Sequence, residues 1–239
     1  MTSRRFSPRP AKTPPDGPAE LTDPNRREQL ALQPPTSERL QKFPQSMITT
    51  AKQLYRAHRV DLGPWYFCCD GSGRFDLDEP DGTCYLAEGS VAALRETLGG
   101  RLVAAGVVNG AEVDRRQISA LHLPADIRVA NTTASAAANH GVTRELGTVV
   151  PYDVPQAWAQ AWAAAGVAGI RYLGRFSTAT GNETRCVAVF GLAGVAATHY
   201  QPDPTPTPAR AVATKAGIRV IDPMPPVAGL TVVDPPVSA

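Results

Sequence analysis

Apolar positions along the chain fall in short runs separated by glycine, proline and acidic turns, and the runs carry two periods. Gln53 to His58, Thr83 to Ala87, Gln117 to Leu123, Ile127 to Ala130, Gly169 to Tyr172 and Arg185 to Phe190 are short and bounded by turn residues, which predicts strands. Helical spacing takes over at Val91 to Leu98, where Ser90 is a suitable N-cap and Gly99 a C-terminal stop. On that helix Val91, Leu94 and Leu98 share one face, and Glu96 lies well off it. A second helix is expected from Asp153, with Pro155 in its first turn, to about Ala165, stopped at Gly166. Ser135 to Leu146 reads as one or two short helices broken near Gly141. Strands and helices do not alternate strictly, which argues against a doubly wound parallel sheet. The expected class is α+β: a single domain with a mixed sheet and short helices, flanked by Pro-rich tails.

Proline sets the expected boundaries. Of 23 prolines, nine lie in residues 1–45, nine in residues 201–239 and five between. Residues 1–45 have little periodic apolar content and cannot easily offset the entropy cost of ordering, so a disordered or extended segment is expected there. Thr205 to Pro208 favours an extended spacer, and residues 201–239 are expected as an arm draped over the domain or a partner. Within that arm, Ile218 to Ile221 and Leu230 to Val233 are short apolar patches suited to docking as edge strands. The folded domain is then expected at 46–200.

Composition narrows the function classes. The 239 residues carry 24 basic and 22 acidic side chains, a formal net charge of +2, which excludes a nucleic-acid binder read from charge. No run of 18 apolar residues is present to span a membrane. The first twenty residues carry arginines without an apolar run behind them, so no secretory signal is expected. The four cysteines, Cys68, Cys69, Cys84 and Cys186, have neither metal spacing nor the density of a disulfide scaffold. A reduced, cytoplasmic, enzyme-sized domain is expected, with no metal site.

Common catalytic signatures are missing: no GxxxxGK[ST] loop, no GxSxG elbow, and Gly71-Ser72-Gly73 runs into Arg74 rather than a dinucleotide fingerprint. His58, His122, His140 and His199 do not pair at i, i+3 or i+4, which argues against zinc. The acidic loop Asp70 to Asp81 lacks the spacing of a calcium site and reads as solvated. Three features remain. Arg56 sits on a strand among apolar neighbours, where burial without an anion is costly. Arg74 follows glycine in Gly73-Arg74-Phe75, and its planar fork suits phosphate oxygens. Thr83 to Leu98 forms a strand–helix unit carrying Tyr85 and Glu96. Each has a purely structural alternative: Arg56 pairing with an aspartate, Arg74 on a loop surface, Tyr85 in the core, Glu96 on a solvated face.

The ordered motifs LYRAHR, PWYF, GRFD, GTCYLAE and VAALRETL, followed by AGIRYLGR and CVAVFG, resemble the RES domain family over residues 52–192. The resemblance implies an ADP-ribosyltransferase-like α+β fold. It implies consumption of NAD by phosphorolysis or hydrolysis, and often a bacterial toxin held by an antitoxin. Arg56 matches the first arginine of the family, Arg74 the arginine of the glycine-arginine-aromatic motif, Tyr85 the strand tyrosine and Glu96 the helical glutamate. The family serine, two residues after the tyrosine of the GIRY-like strand, is replaced by Gly174; either Ser177 takes its role or the role is absent.

Cleaving the nicotinamide–ribose bond builds positive charge on the ribose, much as in glycoside hydrolysis. On the reading this resemblance implies, Glu96 stabilises that charge and Arg56 and Arg74 hold the pyrophosphate. Tyr85 packs on or near the nicotinamide ring, and Ser177 is a further candidate contact. NAD is then the substrate, inorganic phosphate or water the acceptor, and no prosthetic group is expected. Transfer of ADP-ribose to a macromolecule and a catalytically silent NAD- or partner-binding module stay open at this point, as does a homo-oligomer.

Overall fold

The structure is a computed structural model that describes residues 31–177, 184–197 and 199–222. The elements below belong to the contact unit that begins at Gln33. In chain order they are α1 (Ser37–Leu40), β1 (Gln45–Ile48), β2 (Leu54–Arg59), β3 (Tyr66–Phe67), β4 (Asp81–Ala87), α2 (Ser90–Ala105), β5 (Val108–Asn109), α3 (Gly110–Asp114) and β6 (Arg116–Leu121). Then follow β7 (Ile127–Asn131), two 3₁₀ turns (Ser135–His140 and Arg144–Gly147), α4 (Asp153–Ala164), β8 (Gly169–Leu173), β9 (Arg185–Leu192), β10 (Gly194–Val195), β11 (Thr207–Pro208), α5 (Ala209–Lys215) and β12 (Val220–Ile221).

Eight strands form one mixed sheet in the order β1-β7-β8-β9-β4-β2-β6-β11. β7 and β8 are parallel, and the other neighbours pair antiparallel. A parallel neighbour needs a crossover, and α4 lies between β7 and β8 in the chain to supply it. Leu54, Cys84, Leu86, Val187 and Val189 face one side, packed with Trp65, Phe67 and Leu121. Tyr55, Ala57 and Ile118 face the other, covered by Leu94 and Leu98 of α2 and by Ala209, Val212 and Ala213 of α5. Alternation of side chains along β2 thus feeds two different cores.

The six sequence-predicted strands appear as β2, β4, β6, β7, β8 and β9. The stretch from Ser135 folds as two 3₁₀ turns parted at Gly141, whose φ of 77° suits glycine. Helix α2 departs from expectation. Gly89, not Ser90, is its N-cap, and it runs through Gly99 and Gly100 to a left-handed Gly106. Leu98 is fully buried and Leu102 packs on the same core, so tertiary packing carries the helix across two glycines that each cost about 1 kcal/mol relative to alanine.

The expected boundaries at 46 and 200 both fall inside structured stretches. Phe43 is buried against Trp158 and Trp162 of α4, and β1 begins at Gln45. Beyond residue 200, β11 pairs β6 and α5 buries Ala209, Val212 and Ala213 at i, i+3 and i+4. Val220 and Ile221 pair with β5, in line with edge docking of that patch. Residues 1–30, and Leu230 to Val233 of the other apolar patch, lie outside the described residues. No helix among the described residues is long and apolar enough to cross a membrane.

Candidate active site

The site begins with a seam in the sheet. β4 pairs β9 along its whole length, Asp81 to Ala87. Its other edge is joined to β2 at one position, Tyr55 with Ala87, and to Cys68 through a single bridge at Thr83. Between those two points β2 and β4 diverge. A cavity of about 160 Å³ opens there, lined by Tyr55, Arg56 and Ala57 of β2 and Tyr85, Leu86 and Ala87 of β4. Ala93, Glu96 and Thr97 of α2 close it on one side, and Tyr172 and Cys186 line it further.

Glu96 reaches the cavity from the helix flank, off the apolar stripe; the wheel put it off that stripe and left open whether it faced solvent or a cleft. Its Oε1 accepts a hydrogen bond from the Phe176 backbone N–H at 2.8 Å. Burial pushes its carboxyl above the usual glutamate range, against the N–H groups of Phe176 and Arg175 and the charges of Arg74 and Arg175, which pull it down. Burial also raises the Tyr172 and Tyr85 phenols and the Cys186 thiol. Burial thus disfavours the charged form of each of these four side chains, and Glu96 is the carboxylate among them.

Tyr85 holds a loop. Its hydroxyl donates to Asp76 Oδ1 at 2.7 Å and accepts from the Phe75 N–H at 2.8 Å. Asp76 Oδ2 accepts from the Gly73 N–H. The four residues Gly73 to Asp76 are thus wound around the tyrosine that borders the cavity. A Cβ at Gly73 would stand 2.5 Å from the Tyr85 hydroxyl, so glycine is required by this close approach. Arg74, within the same loop, donates to the Val149 carbonyl and lies over the Tyr152 ring, 4.6 Å from its centroid. It stands outside the residues lining the cavity but near enough to Glu96 and Arg175 for their charges to act on it.

Arg56 has a different placement. Its Nη1 donates to the carbonyls of Pro64 and Tyr66 and to Cys84 Sγ, at 2.8, 2.9 and 2.7 Å. This guanidinium nitrogen ties the 64–66 loop to β4 across the seam. Ser177 lies one residue past the N–H that holds Glu96 and is not among the residues lining the cavity. At Gly174, a Cβ would stand 2.7 Å from Glu96 Oε1 and 3.2 Å from Cys186 Sγ. The Glu96 carboxylate occupies the space a side chain at 174 would need.

Sequence reasoning left several contributors unassigned. Asp76 and Tyr172 lie inside the GRFD and GIRY motifs, yet nothing in their spacing says what they touch. Glu88 has a fully buried side chain, held by Arg171 through Nε at 2.7 Å and Nη2 at 2.5 Å, and by Lys52 at 3.0 Å. It ties the turn before α2 to β8. A charged residue within each of YLAE and GIRY was the available signal. His58 is structural: Nε2 meets Ser119 Oγ, and Nδ1 meets the carbonyls of Arg59 and Leu62. Cys68, Asp70 and Asp76 bring donor atoms within 4.8 Å of one another. There the Cys68 thiol donates to Asp70, and Asp76 is taken by Gly73 and Tyr85.

The chain belongs to the RES domain family, whose model matches residues 53–211. In fold, it is similar to a chain in the crystal structure of the M. tuberculosis MbcT–MbcA toxin–antitoxin complex. The two share 14% identity with a TM-score of 0.53, over 70% of this chain and 90% of the other. A comparison with curated proteins gives no match.

Proposed function

We propose that the chain, on an ADP-ribosyltransferase-like fold, cleaves the nicotinamide–ribose bond of NAD, passes the ADP-ribosyl group to phosphate or water, and is the toxin of a toxin–antitoxin pair. The observation that carries the reading is the placement of Glu96, a half-buried carboxylate in the wall of the β2–β4 seam, in surroundings where burial also raises the Tyr85 and Tyr172 phenols and the Cys186 thiol.

The anomeric C–N bond breaks, and its electron pair leaves with neutral nicotinamide. Positive charge on the ribose is met by Glu96, a preorganised carboxylate in a dry wall. A phosphate oxygen then bonds to the anomeric carbon; alternatively water does so and releases a proton. The cavity is smaller than the roughly 300–1,000 Å³ of pockets that enclose a whole drug-sized ligand, so only the nicotinamide end enters. The pyrophosphate is left at the rim, where Arg74 stands with Arg175 close enough to feel its charge. Arg56 acts mainly by holding the 64–66 loop at the seam, Tyr85 shapes the nicotinamide pocket while fixing the Arg74 loop, and Ser177 is a rim contact.

Family membership supports the NAD chemistry, and the toxin–antitoxin complex with the similar fold supports the pairing with an antitoxin. The test is nicotinamide release from NAD by the purified chain, with and without inorganic phosphate, beside Glu96→Gln. Release that requires Glu96 is expected, and phosphate dependence separates phosphorolysis from hydrolysis. No release, with NAD still bound, would overturn the enzyme reading in favour of a binding module. For the toxin role, induced expression should deplete cellular NAD and arrest growth, and Glu96→Gln should do neither.

A further inference from the structure

Glu96 and Gly99 are three residues apart on α2, and positions i and i+3 are neighbours on a helix surface. Both engage the same residue. Glu96 Oε1 takes the backbone N–H of Phe176, and the Phe176 ring lies where a side chain at Gly99 would be: a Cβ built there would collide with three of the ring carbons. Gly99 is buried in mid-helix, a position where glycine is unfavourable by about 1 kcal/mol relative to alanine. The ring needs that notch.

Two residues before Phe176, the Gly174 N–H donates to the Thr184 carbonyl at 2.9 Å and extends the β8–β9 ladder by one step. Past Gly174 the backbone turns so that its N–H groups point at Glu96. A side chain at 174 is excluded by the carboxylate itself. The carboxylate is therefore oriented by backbone donors, and those donors are oriented by a ring seated in a helix notch.

We propose that Phe176, seated in the Gly99 notch, is a positioning residue that presents backbone N–H groups to Glu96 and so fixes its orientation and its ionisation. The proposal deepens the reading of Glu96 given above and rests on it. Loss of the ring loosens the donors that favour the charged form of Glu96, so its titration should move up.

Two measurements test this on the full chain. The first is the pH profile of kcat for nicotinamide release. The second is the carbon-13 NMR titration of the Glu96 carboxyl, assigned by its absence in Glu96→Gln, which needs no turnover. In Phe176→Ala the Glu96 midpoint and the acid limb of kcat should rise together by about one pH unit, the effect of losing a hydrogen bond to the charged form. Activity should fall about tenfold below the limb, recover towards high pH, and leave KM largely unchanged. Gly99→Ala, which fills the notch while keeping the ring, should shift both in the same direction. The double variant should shift them by less than the sum, because both changes break one contact. Phe176→Tyr, which keeps the ring, should titrate as the wild type does.

An unmoved midpoint in both single variants, or a loss of rate that is uniform across pH, overturns the positioning role. If instead the wild-type chain releases no nicotinamide, or Glu96→Gln retains full activity, the functional reading fails, and the NMR midpoint still decides the role of Phe176. Should Phe176→Ala not fold, Gly99→Ala decides the matter alone.

Discussion

The two edges of β4 are built from the same seven residues and have opposite fates. On the β9 side every residue from Asp81 to Ala87 is paired in register. On the β2 side one residue is paired and a cavity follows. Alternation lets a single strand serve both purposes: Cys84 and Leu86 point into the core shared with Val187 and Val189, while Tyr85 points to the opposite face and borders the cavity. A continuous ladder stabilises but leaves no room for a ligand. The seam gives up ladder hydrogen bonds, and the segments around it are held by side-chain ties, Arg56 to the 64–66 loop and Tyr85 to Asp76.

Substitutions on the two edges should therefore separate activity from stability. The largest effect is expected at the seam: Glu96→Gln should lower kcat about 10²-fold or more, the usual result of deleting one electrostatic stabiliser, without altering the urea midpoint for the worse. A near-wild-type kcat would remove Glu96 from the mechanism. On the ladder edge, Val189→Ala opens a void in the core and should cost about 1–3 kcal/mol in urea unfolding while kcat stays unchanged. If it altered kcat as strongly as the seam variants, the two edges would not be functionally distinct. Tyr85→Phe lies between them. It removes one of the two partners of buried Asp76 and the acceptor of the Phe75 N–H, so about 1–3 kcal/mol of stability should go together with a rise in KM as the Arg74 loop loosens. Arg74→Lys should lower kcat/KM about tenfold, the scale of one charge-assisted hydrogen bond, because a point charge does not reproduce the fork. Unchanged kinetic constants there would remove Arg74 from pyrophosphate binding.

The ladder edge was the more legible of the two in the sequence. GTCYLAE and CVAVFG read as strands from local pattern alone, although nothing local says that they pair with each other. The seam was legible only as a set of motifs: Arg56, Tyr85 and Glu96 were picked out, and all three line the cavity. What they touch was not legible, because it depends on where β2 and β4 part, and periodicity carries no information on that point. Tyr85 illustrates this, being read as a ring contact while its hydroxyl turns out to organise the loop before it. Gly99 shows the same limit from the opposite direction. As a local signal it ends a helix, yet a ring from 77 positions away occupies the space it leaves.

The smallest expected effect is a displacement along the pH axis, and it discriminates most finely between the edges. Glu96 must be ionised to meet a developing cation, so activity should fall as pH drops through its carboxyl pKa. Burial raises that value above the ordinary glutamate range of about 4.3, and the backbone donors and Arg74 oppose the rise without cancelling it. The acid limb of kcat should accordingly lie above the limb of a solvated carboxylate. Removing the positive charge in Arg74→Gln should move the limb higher still, whereas Arg74→Lys, which keeps the charge, should move it less. Val189→Ala should leave it where it is, since that side chain faces the core rather than the carboxylate. A limb at the ordinary glutamate position, unmoved by any change at Arg74, would mean that Glu96 is solvated during turnover and that the seam does not exclude water.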